Sequence, residues 1–173
     1  KVYAIEGSIE NYKILSENIS FELNKVKNIN PYNYIVSNSN SSKYIKNIIG
    51  TTNIVKNDIA KEDANYSLVK SITLSKFLSE NQLNHIDFLK LDIEGHEINL
   101  INDLLNINIK YGQIEIINLN NLEKNLEFLK LLSNKFYLFD SENFNTIDKN
   151  DLKNIILTKL NESIAFDVFI MSK

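Results

Sequence analysis

A chain of 173 residues with 43% hydrophobic content and a net charge of −3 is long enough to bury the core of one domain. It contains no Cys, which excludes disulfides and thiolate zinc sites. It also has no Arg and no basic stripe, which argues against nucleic acid as a partner. No apolar run approaches the length of a membrane span and no secretory leader pattern occurs, so a cytoplasmic location is expected and the oligomeric state is left open.

Residues 1–6 read as a buried strand closed by Gly7 and Ser8, and Ser8 is placed to cap a helix with the apolar stripe Tyr12, Leu15, Ile19 and Leu23. A strand ending in an acid and followed by a helix is the second half of a nucleotide-binding unit, where the acid accepts hydrogen bonds from ribose hydroxyls. Glu6 holds that position, although an ordinary surface acid near a helix start would look the same. Pro31 ends a linker, residues 32–37 form a strand, and residues 37–42 form a polar turn. Residues 44–49 and 53–56 read as a hairpin about Gly50, with a polar loop over 58–65. Another strand covers 67–74, after which Ser75 caps a helix carrying Phe77 and Leu78.

The densest chemistry lies in residues 85–97. Residues 86–91 are the short, mostly apolar run of a strand buried on both faces of a parallel sheet. Asp92, Glu94, Gly95, His96 and Glu97 then arrive within six residues, before Ile98, Ile101, Leu104 and Leu105 recur at helical spacing. The acidic group therefore sits on a strand-to-helix turn outside the carboxyl end of a strand, where ligands bind in open α/β sheets. Part of it has a purely structural reading: Asp92 caps the helix, Gly95 makes the turn and Glu97 offsets the helix dipole. Three acids and one of the two histidines are more than a cap requires, which points to a functional turn.

Residues 112–117 form a strand with Glu115 inside an apolar run, and Leu122, Leu126, Leu129 and Leu132 mark an amphipathic helix. A strand over 136–139 ends at Asp140 and Ser141, a helix spans about 151–160, and residues 165–171 make a last strand. This alternation predicts an α/β fold, one domain over residues 1–173, with a mainly parallel sheet and helices on both faces.

Three pieces in this order resemble the FkbM-type S-adenosylmethionine-dependent methyltransferases: Val-Tyr-Ala-Ile-Glu-Gly-Ser at 2–8, Ile-Thr-Leu at 72–74 with its short helix, and Phe-Leu-Lys-Leu-Asp-Ile-Glu-Gly-His-Glu at 88–97. Members of that family carry a K-x-D-x-E-G-x-E stretch at the fourth strand, and residues 113–116 resemble its acid-bearing fifth strand. The likeness runs from Val2 to about Phe139. It implies a Rossmann-like methyltransferase sheet, S-adenosylmethionine as methyl donor, and a small-molecule or glycan acceptor, a hydroxyl of a sugar or secondary metabolite. Under it Glu6, with Gly7 and Ser8, matches the ribose site, Ser37 and Asn38 match the neighbourhood of the adenine, and Asp92, Glu94 and His96 lie where donor and acceptor meet, Asp92 serving both. Two departures stand out. Ser75 occupies a position where the family often has Asp, and the family's first strand and Gly-rich loop would lie upstream of Lys1. Gly7, Gly50, Gly95 and Gly112 make no G-x-G pair, so the sheet expected of these residues is incomplete at its N-terminus.

Methyl transfer to oxygen is an in-line displacement at a sulfonium carbon, in which a general base takes the hydroxyl proton as the new bond forms. A histidine's ordinary pKa of about 6.5 suits that task, which orders the candidates as His96, then Asp92, then Glu94. Two rival readings exist. Asp92, Glu94, His96 and Glu97 offer ligands for Mg²⁺ or Mn²⁺, although side chains packed in one turn rarely converge on one ion. The other rival is a non-catalytic module that binds a nucleotide or a partner.

Overall fold

A computed structural model of the chain describes residues 1–21, 28–46, 55–56, 65–117 and 121–173. They fall into two compact units, Lys1–Thr73 and Leu74–Lys173.

The first unit opens with β1 (Val2–Ile5), which pairs in parallel with β2 (Ile29–Tyr32). Between them lies α1 (Ile9–Ser20), started by Ser8, whose hydroxyl accepts from the Asn11 N–H at 3.3 Å. Tyr12, Leu15 and Ile19 are its half-buried stripe, as the periodicity predicts, while Leu23 lies outside the described residues. Pro31, expected to end a linker, is instead inside β2, opposite Ala4. The physical reason is that among the described residues β2 has a single neighbour, and a residue without an N–H is tolerated on an edge strand.

A second sheet in this unit has the order β3 (Ile35–Val36), β6 (Tyr66–Ile72), β4 (Ser42–Lys46), β5 (Val55–Lys56). The pairing of β4 with β5 is antiparallel, in line with the expected hairpin, while Gly50 and most of the 58–65 loop lie outside the described residues. Ile35, Ile45 and Val69 form a small core here, against which Ile9 packs.

The second unit holds α2 (Leu74–Glu80), β7 (Ile86–Leu91), a 3₁₀ turn (Glu97–Leu100), α3 (Ile101–Asn106), β8 (Ile109–Ile117), α4 (Leu122–Lys135), β9 (Phe136–Asp140), α5 (Leu152–Glu162) and β10 (Ala165–Ser172). Its sheet runs β7-β8-β10-β9, with β7 and β8 parallel and β10 antiparallel to both of its neighbours. Leu91, Ile114 and Val168 meet in register on the buried face, in a core with Leu129, Leu132, Leu152 and Ile156 from α4 and α5. The opposite face carries Phe88, Tyr111, Met171 and Tyr137 in one cross-strand row, and three of these four are exposed.

This differs from the predicted architecture in two respects. The described residues form three sheets of mixed direction instead of one mainly parallel sheet, with antiparallel pairs at β4–β5, β4–β6, β8–β10 and β9–β10. Moreover, β7 is buried on one face only: Leu91 is 4% exposed and Phe88 is 54% exposed. The apolar run at 86–91 looked two-sided because an aromatic residue occupies its outward position. Ser75 is also not a cap. α2 begins one residue earlier, and Asp103 of α3 accepts both the Leu74 N–H at 2.8 Å and the Ser75 hydroxyl.

Candidate functional site

In the first unit the chemistry gathers where β1 hands over to α1. Glu6 follows the last residue of a parallel strand, and its Oε1 accepts the Ser8 N–H at 2.7 Å. Asn33 locks the corner from below, its Nδ2 donating to the Glu6 carbonyl at 2.8 Å and to the Gly7 carbonyl at 3.1 Å. Gly7 is there for space: a Cβ would stand 3.1 Å from Ile35 Cγ1 and 3.2 Å from Ile45 Cδ1. Ser8 is fully buried and engaged in capping. Ser37 follows β3, its N–H donating to the Ile72 carbonyl, while Asn38 beside it is exposed. Of these residues Glu6 and Asn38 present accessible polar groups, whereas Gly7 and Ser8 shape the turn.

In the second unit the turn after β7 is unusual backbone. Glu94 and Gly95 have φ of 56° and 88°, two successive left-handed residues, a conformation that costs a non-glycine residue energy and recurs at functional sites. The Glu97 carboxylate reaches back to accept the Ile93 N–H at 2.7 Å, which closes the turn and explains how a charged side chain is almost wholly buried. His96 is the residue before the 3₁₀ turn and makes no side-chain cap. Its Nδ1 lies 3.4 Å from the Asn99 amide nitrogen. Asp92, read structurally as the cap, is exposed and pairs with Lys90 at 3.0 Å.

The sheet extends this group beyond the turn. Leu91 pairs with Ile114, so Asp92 follows beside Glu115, and Glu115 in turn faces Asp167 across β10. Burial, and then the charges of Asp92, Glu97, Glu94 and Asp167, push the Glu115 carboxyl up to about 7. Burial and Asp92 also raise Glu94, and burial raises Glu97 against the N–H groups that hold its charge. Lys90 answers this field: its bond to Asp92 raises its pKa, with Asp167 and Glu115 adding to the effect. A carboxyl that titrates near neutrality, at the carboxyl end of a parallel strand pair, can accept or release a proton at working pH.

In the sequence Glu115 is an acid within an apolar run with no local tie to the turn, and Asp167 is not among the candidate site residues. The alternation of Asp167, Phe169 and Met171 against Val168 and Ile170 does mark Asp167 as outward-facing. Its partner, 52 residues earlier in the chain, is fixed by strand register, which a sequence does not display. Among the described residues no three of His, Asp and Glu are arranged to hold a metal ion, so the Mg²⁺ or Mn²⁺ reading has no ligand set there. Among the same residues no helix is long and apolar enough to cross a membrane.

β1 and β7 thus each lead through an acid, Glu6 and Asp92, into a helix or a 3₁₀ turn within an α/β fold, the kind of strand end at which open α/β sheets bind ligands. The family is settled by comparison: the methyltransferase FkbM domain matches residues 1–144, and the chain belongs to that family. No curated protein and no solved structure matches it.

Proposed function

We propose that this protein is an S-adenosylmethionine-dependent methyltransferase that methylates a hydroxyl of a sugar or secondary metabolite. Beyond family membership, the observation that carries this reading is the carboxylate row Asp92–Glu115–Asp167, with Glu115 titrating at about 7. S-adenosylmethionine supplies an electrophilic methyl group. Glu6 suits the ribose of such a donor, because a strand-end carboxylate with one oxygen anchored by Ser8 is held in place to accept from a diol. Ser37 and Asn38 are assigned to the adenine side. Asp92, Glu94 and His96 are assigned to the transfer itself, with His96 as the first candidate for the proton acceptor and Asp92 and Glu94 after it.

Calorimetric titration of the full-length protein with S-adenosylmethionine tests the donor site. Glu6→Gln keeps the shape and removes the charge, and is expected to weaken binding by about 1.5–3 kcal/mol; unchanged affinity rejects the assignment. For the transfer step, Asp92→Asn is expected to slow methylation about 10²-fold with little change in melting temperature, since Asp92 caps nothing and is exposed. Parallel loss of activity and stability would return Asp92 to a structural role.

A further inference from the structure

Among the described residues Glu97 is the only charged side chain that is buried outright, at 2% exposure, and the proposed transfer makes no use of it. Among the same residues it forms no ion pair. What faces the carboxylate is backbone. The Ile93 N–H donates to its Oε1 at 2.7 Å. Burial pushes its pKa up, while the N–H groups of Ile93, of Glu97 itself and of Gly95 pull it back toward the charged form. These N–H groups converge because Gly95 is left-handed, with a φ of 88°, and His96 after it is right-handed, with φ −90° and ψ −2°. Two such residues in succession turn their N–H groups into one concavity that attracts an anion. Elsewhere concavities of this kind take a phosphate. Here the chain supplies the anion from its own side chain.

We propose that Glu97 is a positioning residue: its buried carboxylate is the internal anion on which the 92–96 turn is built, and by holding Glu94 and Gly95 left-handed it aims Asp92, Glu94 and His96. Glu94 is not a glycine, so its φ of 56° carries a cost, which charge-assisted hydrogen bonds to the carboxylate offset. A leucine at position 97 would fill the space without burying a charge, but it would leave the N–H groups of the turn without their acceptor. Asp92 and His96, which flank the turn, are exposed. Glu97, buried beneath them, meets no ligand and acts through the backbone alone. What it does for methyl transfer rests on the methyltransferase reading; what it does for the turn does not.

Amide NMR and calorimetric titration with S-adenosylmethionine test this on the intact protein, on Glu97→Gln and on Glu97→Ala, with sodium formate as the probe of the concavity. Glu97→Gln keeps the size and removes the charge. It is expected to melt near the parent, to move the Ile93 and Gly95 amide protons upfield, and to weaken cofactor binding about tenfold, the scale of one lost charge-assisted hydrogen bond. Glu97→Ala opens a space that a small carboxylate can enter. Formate is expected to return its Ile93 and Gly95 resonances toward the parent positions and to restore most of the affinity, and to do neither for Glu97→Gln, whose side chain fills the space. Parent-like affinity in Glu97→Gln, loss of affinity in step with melting temperature, unfolding of both variants, or a folded Glu97→Ala indifferent to formate overturns the proposal. If Glu97→Ala alone fails to fold, Glu97→Gln decides by the same amide shifts and affinity at an unchanged melting temperature. A parent that does not bind S-adenosylmethionine removes the methyltransferase reading, while the amide positions and the response to formate still decide whether Glu97 holds the turn.

Discussion

Glu115 concentrates the electrostatics of the second unit in one side chain. Its carboxyl is pushed up to about 7 from an ordinary 4.5, so between those pH values the folded protein binds a proton that the unfolded chain has released. Stability attributable to this group is therefore largest below about pH 4.5 and falls as pH rises toward 7. Glu115→Gln removes the penalty. After discounting for solvent screening the gain is about 1 kcal/mol at pH 8, or about 2–4 °C in melting temperature, and it should vanish near pH 4. Melting curves of the variant and parent at the two pH values check this. A gain of equal size at both would show that packing, not charge, is responsible. The same coupling shows why single residues were only partly legible beforehand. Asp92, Glu94 and His96 stand out because they crowd one turn, whereas Glu115 and Asp167 become meaningful only once β8 and β10 are known to pair.

Among the elements, the helices were the more readable part. α1 and α4 announce themselves by periodic apolar residues, and α1 also by its capping side chain, Ser8; the cap of α4, Asn121, which accepts the Lys124 N–H, is a finding of the structure. α2 has too few turns for that. A hydroxyl before an apolar pair points to Ser75 as its start, yet the cap is Asp103, from a different helix. A tertiary cap leaves no local trace. Asp103→Ala should cost about 1–2 kcal/mol, and Ser75→Ala much less, because the Leu74 N–H keeps its partner in that variant; chemical denaturation of each separates the two. At the other end of α3, Lys135 donates to the Leu104, Leu105 and Ile107 carbonyls, a long-range helix stop that sequence also conceals. The strands misled differently. β7 looked doubly buried because Phe88 is apolar and yet faces outward, and Pro31 looked like a stop although an edge strand accommodates it.

At the scale of the whole chain, alternating strands and helices read correctly as α/β, but strand direction did not. Whether a strand runs parallel or antiparallel depends on how the chain returns to the sheet, and β10 returns between β8 and β9 in the opposite sense. That insertion has a practical outcome for anyone dividing the polypeptide by sequence similarity. The family's signature stops at residue 144, yet the strand hydrogen-bonded to both β8 and β9 begins at Ala165. A fragment cut at the signature's limit would retain both outer partners and discard the one that joins them, along with α5, whose Leu152 and Ile156 are completely buried. Two rows of backbone groups and the underside of α4 would meet water at once. A protein ended at residue 144 should therefore be less soluble and less stable than the same protein carried through to Lys173, which expression and thermal melting of the two side by side would check. The limit of the matched segment and the limit of a foldable piece are different lines on this polypeptide.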